Sequence, residues 1–185
     1  IPQGRPYDIF IGPPVQMNRL VQSKKVIAET RTAIAHSGIG VEVRIGAPKP
    51  DISSVEAFRS ALLGAKSIGY LKQDGTSGAY LHGLFERLGI SDAIRSKVVR
   101  PDTDIVSELV ANGEIQLGMV VITQIMTTPG VELVGPIPHE IQSYVRWSGA
   151  VSANTAAPDV AKDFLKFMTG PTASPVVKAQ GMGPG

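Results

Sequence analysis

A serine hydroxyl set among glycines is the first group in this sequence that could do chemistry. Gln73-Asp74-Gly75-Thr76-Ser77-Gly78 is a polar, glycine-bearing stretch. It lies between an extended apolar run, Ser67-Ile68-Gly69-Tyr70-Leu71, and a helical repeat of Leu81, Leu84, Phe85 and Leu88 at i, i+3, i+4 and i+7. At such a strand-to-helix junction the first helical turn has unpaired amides and the positive end of the helix dipole. A serine adds a hydroxyl, and the set suits an anion. The same residues also serve simply to turn the chain. Thr103, followed by Asp104, stands at a second expected helix start ahead of Ile105, Val106, Leu109 and Val110, and carries the same two readings of capping or anion contact.

Other chemistries find less support in the spacing. The glycine stretch is not followed by the Lys-Ser/Thr of a phosphate-cradling loop and lacks the dinucleotide glycine pattern with its acidic partner. Ser77 is one residue out of register with a Gly-x-Ser-x-Gly nucleophile elbow, which leaves a serine hydrolase as a remote alternative. His36, His82 and His139 stand far apart, with no paired metal spacing, and Asp102-Thr103-Asp104 lacks the glycine and distal glutamate of a calcium loop. No catalytic group, resident metal or cofactor is expected.

The elements that must position these residues alternate between strand and helix. Tyr7–Gly12 reads as a short buried strand stopped by Pro13-Pro14, and a helix with Val15, Met17, Leu20 and Val21 on one face follows. Ile39, Val41, Val43 and Ile45 alternate with Gly40, Glu42, Arg44 and Gly46, which predicts a strand with one apolar and one mixed side. Ser53 and Glu56 have the spacing of a capping box before Val55, Phe58 and Leu62. A basic patch of Arg95, Lys97 and Arg100 precedes Pro101. Leu117–Thr123, Val131–Val134 and Tyr144–Val151 read as further strands, and helices are expected from near Pro158, with Val160, Phe164, Leu165 and Met168, and from near Pro171. Alternation of this kind predicts sheets with helices packed on them. Proline-bracketed seams at Ala47–Pro50 and Pro136–Gln142 divide the chain into an outer lobe of residues 1–46 and 143–185 and an inner lobe of residues 47–142, and a cleft between lobes is the expected ligand site.

Composition narrows the function classes. The 185 residues are 43% hydrophobic and 18% charged, enough for a real core, and 20 Gly with 14 Pro provide many turns. The formal charge is only +2 and aromatics make up 5%, which argues against nucleic-acid binding. No apolar run reaches the length of a membrane span. Cysteine is absent, which removes disulfides and thiolate chemistry and suits an oxidising compartment.

Several strings, in collinear order over nearly the whole chain, resemble the periplasmic molybdate-binding proteins of ABC importers and the wider type II periplasmic solute-binding proteins. They are Gly4-Arg5-Pro6-Tyr7-Asp8-Ile9-Phe10-Ile11, Ser37-Gly38-Ile39-Gly40-Val41 leading to Ala47-Pro48-Lys49, Ser77-Gly78-Ala79-Tyr80, Leu117-Gly118-Met119-Val120, and the tail from Pro158-Asp159 through Phe164-Leu165-Lys166-Phe167 to Gly170-Pro171. The resemblance implies an α/β, type II periplasmic-binding-protein-like fold with mixed, mostly parallel sheets in two lobes joined by crossover strands. It further implies an oxyanion held by hydroxyl and amide donors, a permease partner in an ABC transporter, and a periplasmic or secreted location. By the same resemblance Ser77 with Gly78, and Thr103 with Asp104, fall on ligand positions. Val121 falls where molybdate binders use a tyrosine hydroxyl, and Tyr80 and Tyr144 are weaker candidates. The family's N-terminal strand-helix-strand has no counterpart before Asp8-Ile9-Phe10, so the chain is expected to be processed or incomplete, with self-association through exposed strand edges as one consequence. The valine at position 121 makes a small organic carboxylate the alternative to a molybdate-like oxyanion.

Overall fold

The structure, a computed structural model, describes residues 6–72 and 76–185. Gln73, Asp74 and Gly75 of the glycine stretch lie outside the described residues. In chain order the elements are β1 (Ile9–Gly12), α1 (Pro14–Gln22), β2 (Thr32–Arg44), α2 (Val55–Gly64), β3 (Ile68–Tyr70), α3 (Thr76–Arg87), α4 (Ser91–Ile94), β4 (Val98–Val99), α5 (Val106–Ala111), β5 (Leu117–Val121), α6 (Ile122–Thr127), β6 (Val131–Pro136), β7 (Tyr144–Val151), α7 (Pro158–Thr169), α8 (Ser174–Ala179) and β8 (Gly183–Pro184). The chain divides into two compact units, one made of the residues up to His36 with Arg146–Gly185, the other of Ser37–Val145. The first boundary therefore falls inside β2, before the proline seam that the sequence points to, because residues 39–43 pair and pack with the second unit.

The second unit is a sheet with helices on both faces. β3 pairs in parallel with β4 and β5, while β2 runs antiparallel to β5 and β6. On one face Ile39, Val41, Ile68, Leu117 and Met119 pack with Phe58 and Leu62 of α2 and with Leu81, Leu84 and Phe85 of α3. On the other, Val120 packs with Val106 and Val110 of α5 and Ile125 of α6. Alternate residues of β5 thus serve opposite cores, as a doubly covered strand requires. Of the expected mixed side of β2, Gly40 and Glu42 are buried, Glu42 fully, while Arg44 and Gly46 are exposed, and the strand ends at Arg44 with Ile45 outside the core.

The first unit pairs β1 with β7 and β8 with the start of β2, both antiparallel. Its cores join Ile34, Val151, Ala161, Leu165 and Val177, and Met17, Val26 and Ala150. The expectation of mostly parallel pairing therefore holds for β3, β4 and β5, while the registers described for the first unit are antiparallel.

Several local expectations shift. Ser54, not Ser53, caps α2, its hydroxyl accepting from the Ala57 amide at 3.1 Å, while the Ser53 amide donates to Asp51. Lys97 of the basic patch is a structural cation, donating to the Leu63 and Ala65 carbonyls at the end of α2. The run from Leu117 to Thr123 is strand only to Val121, and α6 then seats Ile125 in the core. α8 starts at Ser174.

Candidate functional site

Parallel pairing places the carboxyl ends of three strands at one edge of the second unit's sheet. β3 is aligned with β5 through Ile68↔Leu117 and Tyr70↔Met119, and with β4 through Ile68↔Val98. The segments leaving these ends carry most of the sequence-predicted residues. Ser77, Gly78 and Tyr80 follow β3, Thr103 and Asp104 follow β4, and Val121 is the last residue of β5. β2 pairs Ile39 with Val121, so the second unit's part of that strand begins at the same edge. The chain leaves β3 towards β4 and leaves β5 towards α6 and β6, in opposite directions along the sheet. Such divergence at the carboxyl ends of neighbouring parallel strands is where open α/β sheets hold ligands.

Local sequence explains how Ser77 is seated. The helix α3 must start tight against the end of β3, and a methyl group at Gly78 would overlap the carbonyl oxygens of Leu71 and Lys72. Only glycine permits that approach. Ser77 is consequently held in the first turn with 4% of its surface exposed. That turn, from Thr76, contains no acidic residue.

Polar contacts brace the surrounding segments. The Lys72 ammonium meets the Asp102 carboxylate at 2.5 Å, tying the segment after β3 to the one after β4. Gln124 of α6 donates to Asp104 at 2.9 Å, tying the segment after β4 to the one after β5. The Gln142 side chain forks onto both the amide and the carbonyl of Ile39, at 2.8 and 3.0 Å, and brings residues 137–143 to the same edge. The two exposed contacts, Lys72 to Asp102 and Gln124 to Asp104, add little stability singly. Their effect is to hold the loops in register.

The candidates differ in what their side chains are free to do. Tyr80 donates its hydroxyl proton to the Ile141 carbonyl at 2.7 Å, and Arg87 lies over its ring at 5.4 Å, so its role visible here is to bind α3 to residues 139–141. Thr103 does not cap a helix. α5 begins at Val106 with Ile105 at the cap position and no side-chain cap, and Thr103 contributes its carbonyl to the Ile105 amide. The expected cap fails because the residues from Pro101 to Ile105 bend across the strand ends before the helix starts. Asp104 is exposed and accepts from Gln124, consistent with orienting a loop. Val121 is half-buried and offers no donor. Tyr144 is exposed and begins β7.

Sequence reasoning missed the bracing groups Lys72, Asp102, Gln124 and Gln142, which sit in ordinary polar positions with no repeating pattern. It also placed Glu42 on a mixed strand face. The structure buries Glu42 between Gly118 of β5 and Leu133 of β6, with the Ser107 hydroxyl donating to Oε1 at 2.9 Å. Burial outweighs that bond, and with like charge from Glu108 and Asp104 it pushes the carboxyl up to about 7. Among the described residues no three His, Asp or Glu side chains converge as a metal site requires.

Comparison with known proteins places this geometry in context. The sequence pattern of one family, described as bacterial extracellular solute-binding protein, matches residues 1–183. A protein named aconitate isomerase from a Pseudomonas species is 32% identical over 183 residues, covering 98% of this chain and 69% of that protein. Among solved structures, the chain described as the substrate binding domain of a molybdenum ABC transporter from Clostridium difficile superposes with a TM-score of 0.81 at 19% identity, covering 99% of this chain and 79% of that one. The periplasmic molybdate-binding protein of Azotobacter vinelandii superposes with a TM-score of 0.71 at 20% identity, covering 98% and 80%. The likeness to these two structures is one of fold.

Proposed function

Because the chain belongs to the bacterial extracellular solute-binding proteins, we propose that it captures a small anion at the carboxyl ends of β3, β4 and β5 and delivers it to the permease of an ABC importer. The observation that carries this reading is the seat of Ser77. Its first-turn position, the glycine-tight junction at Gly78 and the absence of an acidic residue in that turn offer uncharged donors and a positive dipole end to negative oxygen. Neutral donors hold an anion without a fixed countercharge, which suits a carrier that must release its cargo.

The ligand we infer is a small organic carboxylate. Val121 provides no hydroxyl where a molybdate binder would use one, and a relative at 32% identity is named for an aconitate reaction. The second reading, a molybdate-like oxyanion, is favoured by the fold likeness to molybdate-binding proteins. Both are binding without turnover.

Calorimetry against molybdate, tungstate, sulfate, phosphate, cis-aconitate and trans-aconitate tests the reading. A bound anion at a hundred times its dissociation constant stabilises the fold by about 2.7 kcal/mol. Ser77→Ala should then weaken binding by about 1–2 kcal/mol, as for one lost hydrogen bond to a charged group. Unchanged affinity would remove Ser77 from the site, and interconversion of cis- and trans-aconitate by the purified protein would replace the carrier with an enzyme.

A further inference from the structure

The second unit buries one ionisable group that the binding site does not use. Glu42 is 0% exposed near the carboxyl end of β2, and its Oε2 has no hydrogen-bond partner among the described residues. Its other oxygen accepts from Ser107, the second residue of α5, itself fully buried. Gly118 opposite has no side chain because a methyl there would overlap Glu42 Oε1. The sheet is thus shaped around this carboxyl, and α5 rests on it.

The groups facing Glu42 make its charge state matter. From the α5 side come Ser107, Glu108 and, just before the helix, Asp104, the two carboxylates both acting on it with like charge. β5 contributes Gly118 and β6 contributes Leu133, neither titratable. Val110 of α5 closes the contact at Gly118. Arg44 lies two residues along β2 but is exposed. A neutral Glu42 lets α5 sit down with its acidic neighbours. An ionised Glu42 places in the core a charge whose only hydrogen bond is from Ser107, with the exposed carboxylates of Asp104 and Glu108 repelling it.

We propose that Glu42 is a positioning residue for the binding site, a proton-dependent seat for α5 that holds the Thr103–Asp104 segment at the strand ends when the carboxyl is neutral. The coupling runs from Glu42 through Ser107 to α5, and from the residues just before α5 through Asp104 to Gln124 of α6. The consequence for ligand affinity rests on the function proposed above; the seat itself does not.

Two readouts keep those statements apart. The first is the hydrogen-exchange protection of the α5 amides, corrected for intrinsic exchange, from about pH 5 to about pH 9. The second is calorimetric affinity for sulfate and trans-aconitate over the same range. In the wild type, α5 protection falls as pH rises from about 5 towards 7 and is flat above, and the affinity of whichever anion binds falls by at least about fivefold as the carboxyl ionises. Glu42→Gln, always neutral and of the same shape, keeps both flat. If neither anion binds, the protection profile alone still tests the seat. Protection that is flat in the wild type, or that falls equally in Glu42→Gln, overturns the proposal. An affinity that stays constant while protection falls overturns the link to the site and leaves the seat standing.

Discussion

The helices α3 and α7 are each twelve residues long and each carries an apolar stripe, yet they bury it differently. Leu81, Leu84 and Phe85 of α3 are at most 2% exposed. α7 buries Ala161 and Leu165 but leaves Val160, Phe164 and Phe167 between 46% and 69% exposed. α3 packs against both β3 and α4, whereas the buried residues that share a cluster with α7 are Ile34, Ala35, Val151 and Val177. Periodicity identifies a helix and its apolar face. Only the neighbours determine how much of that face leaves water.

The contrast breaks most readily by truncation. Leu84→Ala should cost about 3 kcal/mol in urea unfolding, as for a fully buried leucine. Phe164→Ala should cost no more than about 1 kcal/mol, in proportion to its partial burial. A loss for Phe164→Ala as large as that for Leu84→Ala would mean that the outward face of α7 is covered in solution, and the two helices would then be alike.

The buried carboxyl sharpens the difference between the units through pH. The folded value of Glu42 is raised from 4.5 to about 7, so the folded state binds the extra proton between those values. The contribution of this group is therefore most favourable below about pH 4.5, declines as pH rises towards 7 and is flat above, a total of about 3 kcal/mol. The stability difference between Glu42→Gln and the wild type should grow by that amount across the window in unfolding measured at each pH. A constant difference would show that Glu42 reaches water.

A smaller effect tests the start of α2. Ser54→Ala should lower stability by about 1 kcal/mol through the lost bond to the Ala57 amide. Ser53→Ala should leave stability within about 0.5 kcal/mol. Thermal unfolding of the pair distinguishes them, and a reversal would return the cap to Ser53.

Much of the architecture was legible in the chain. Tyr144–Val151 is a strand with the bounds that its composition predicts, and α1 follows Pro13 as the proline pair requires. Ser77 lies in the first turn of α3, where the polar stretch and the leucine repeat predict a helix start. Less legible were places where one residue type serves two structures. Ile122 and Thr123 are β-branched and read as strand, yet they open α6 because Ile125 has a core to fill. Thr103 has the right chemistry for a cap but stands too early, since the chain must first cross the strand ends.

The order of apolar and polar residues, the prolines and the glycines determined by themselves that this protein alternates strands with helices and starts a helix at Ser77. These are local matters, set by backbone freedom and by the period of the apolar pattern. The convergence of Ser77, Thr103, Asp104 and Val121 on one sheet edge, the bracing by Gln124 and Gln142 and the burial of Glu42 were decided only by tertiary structure. They depend on which strands become neighbours and in which direction, and pairing between distant segments leaves no periodic trace in the chain.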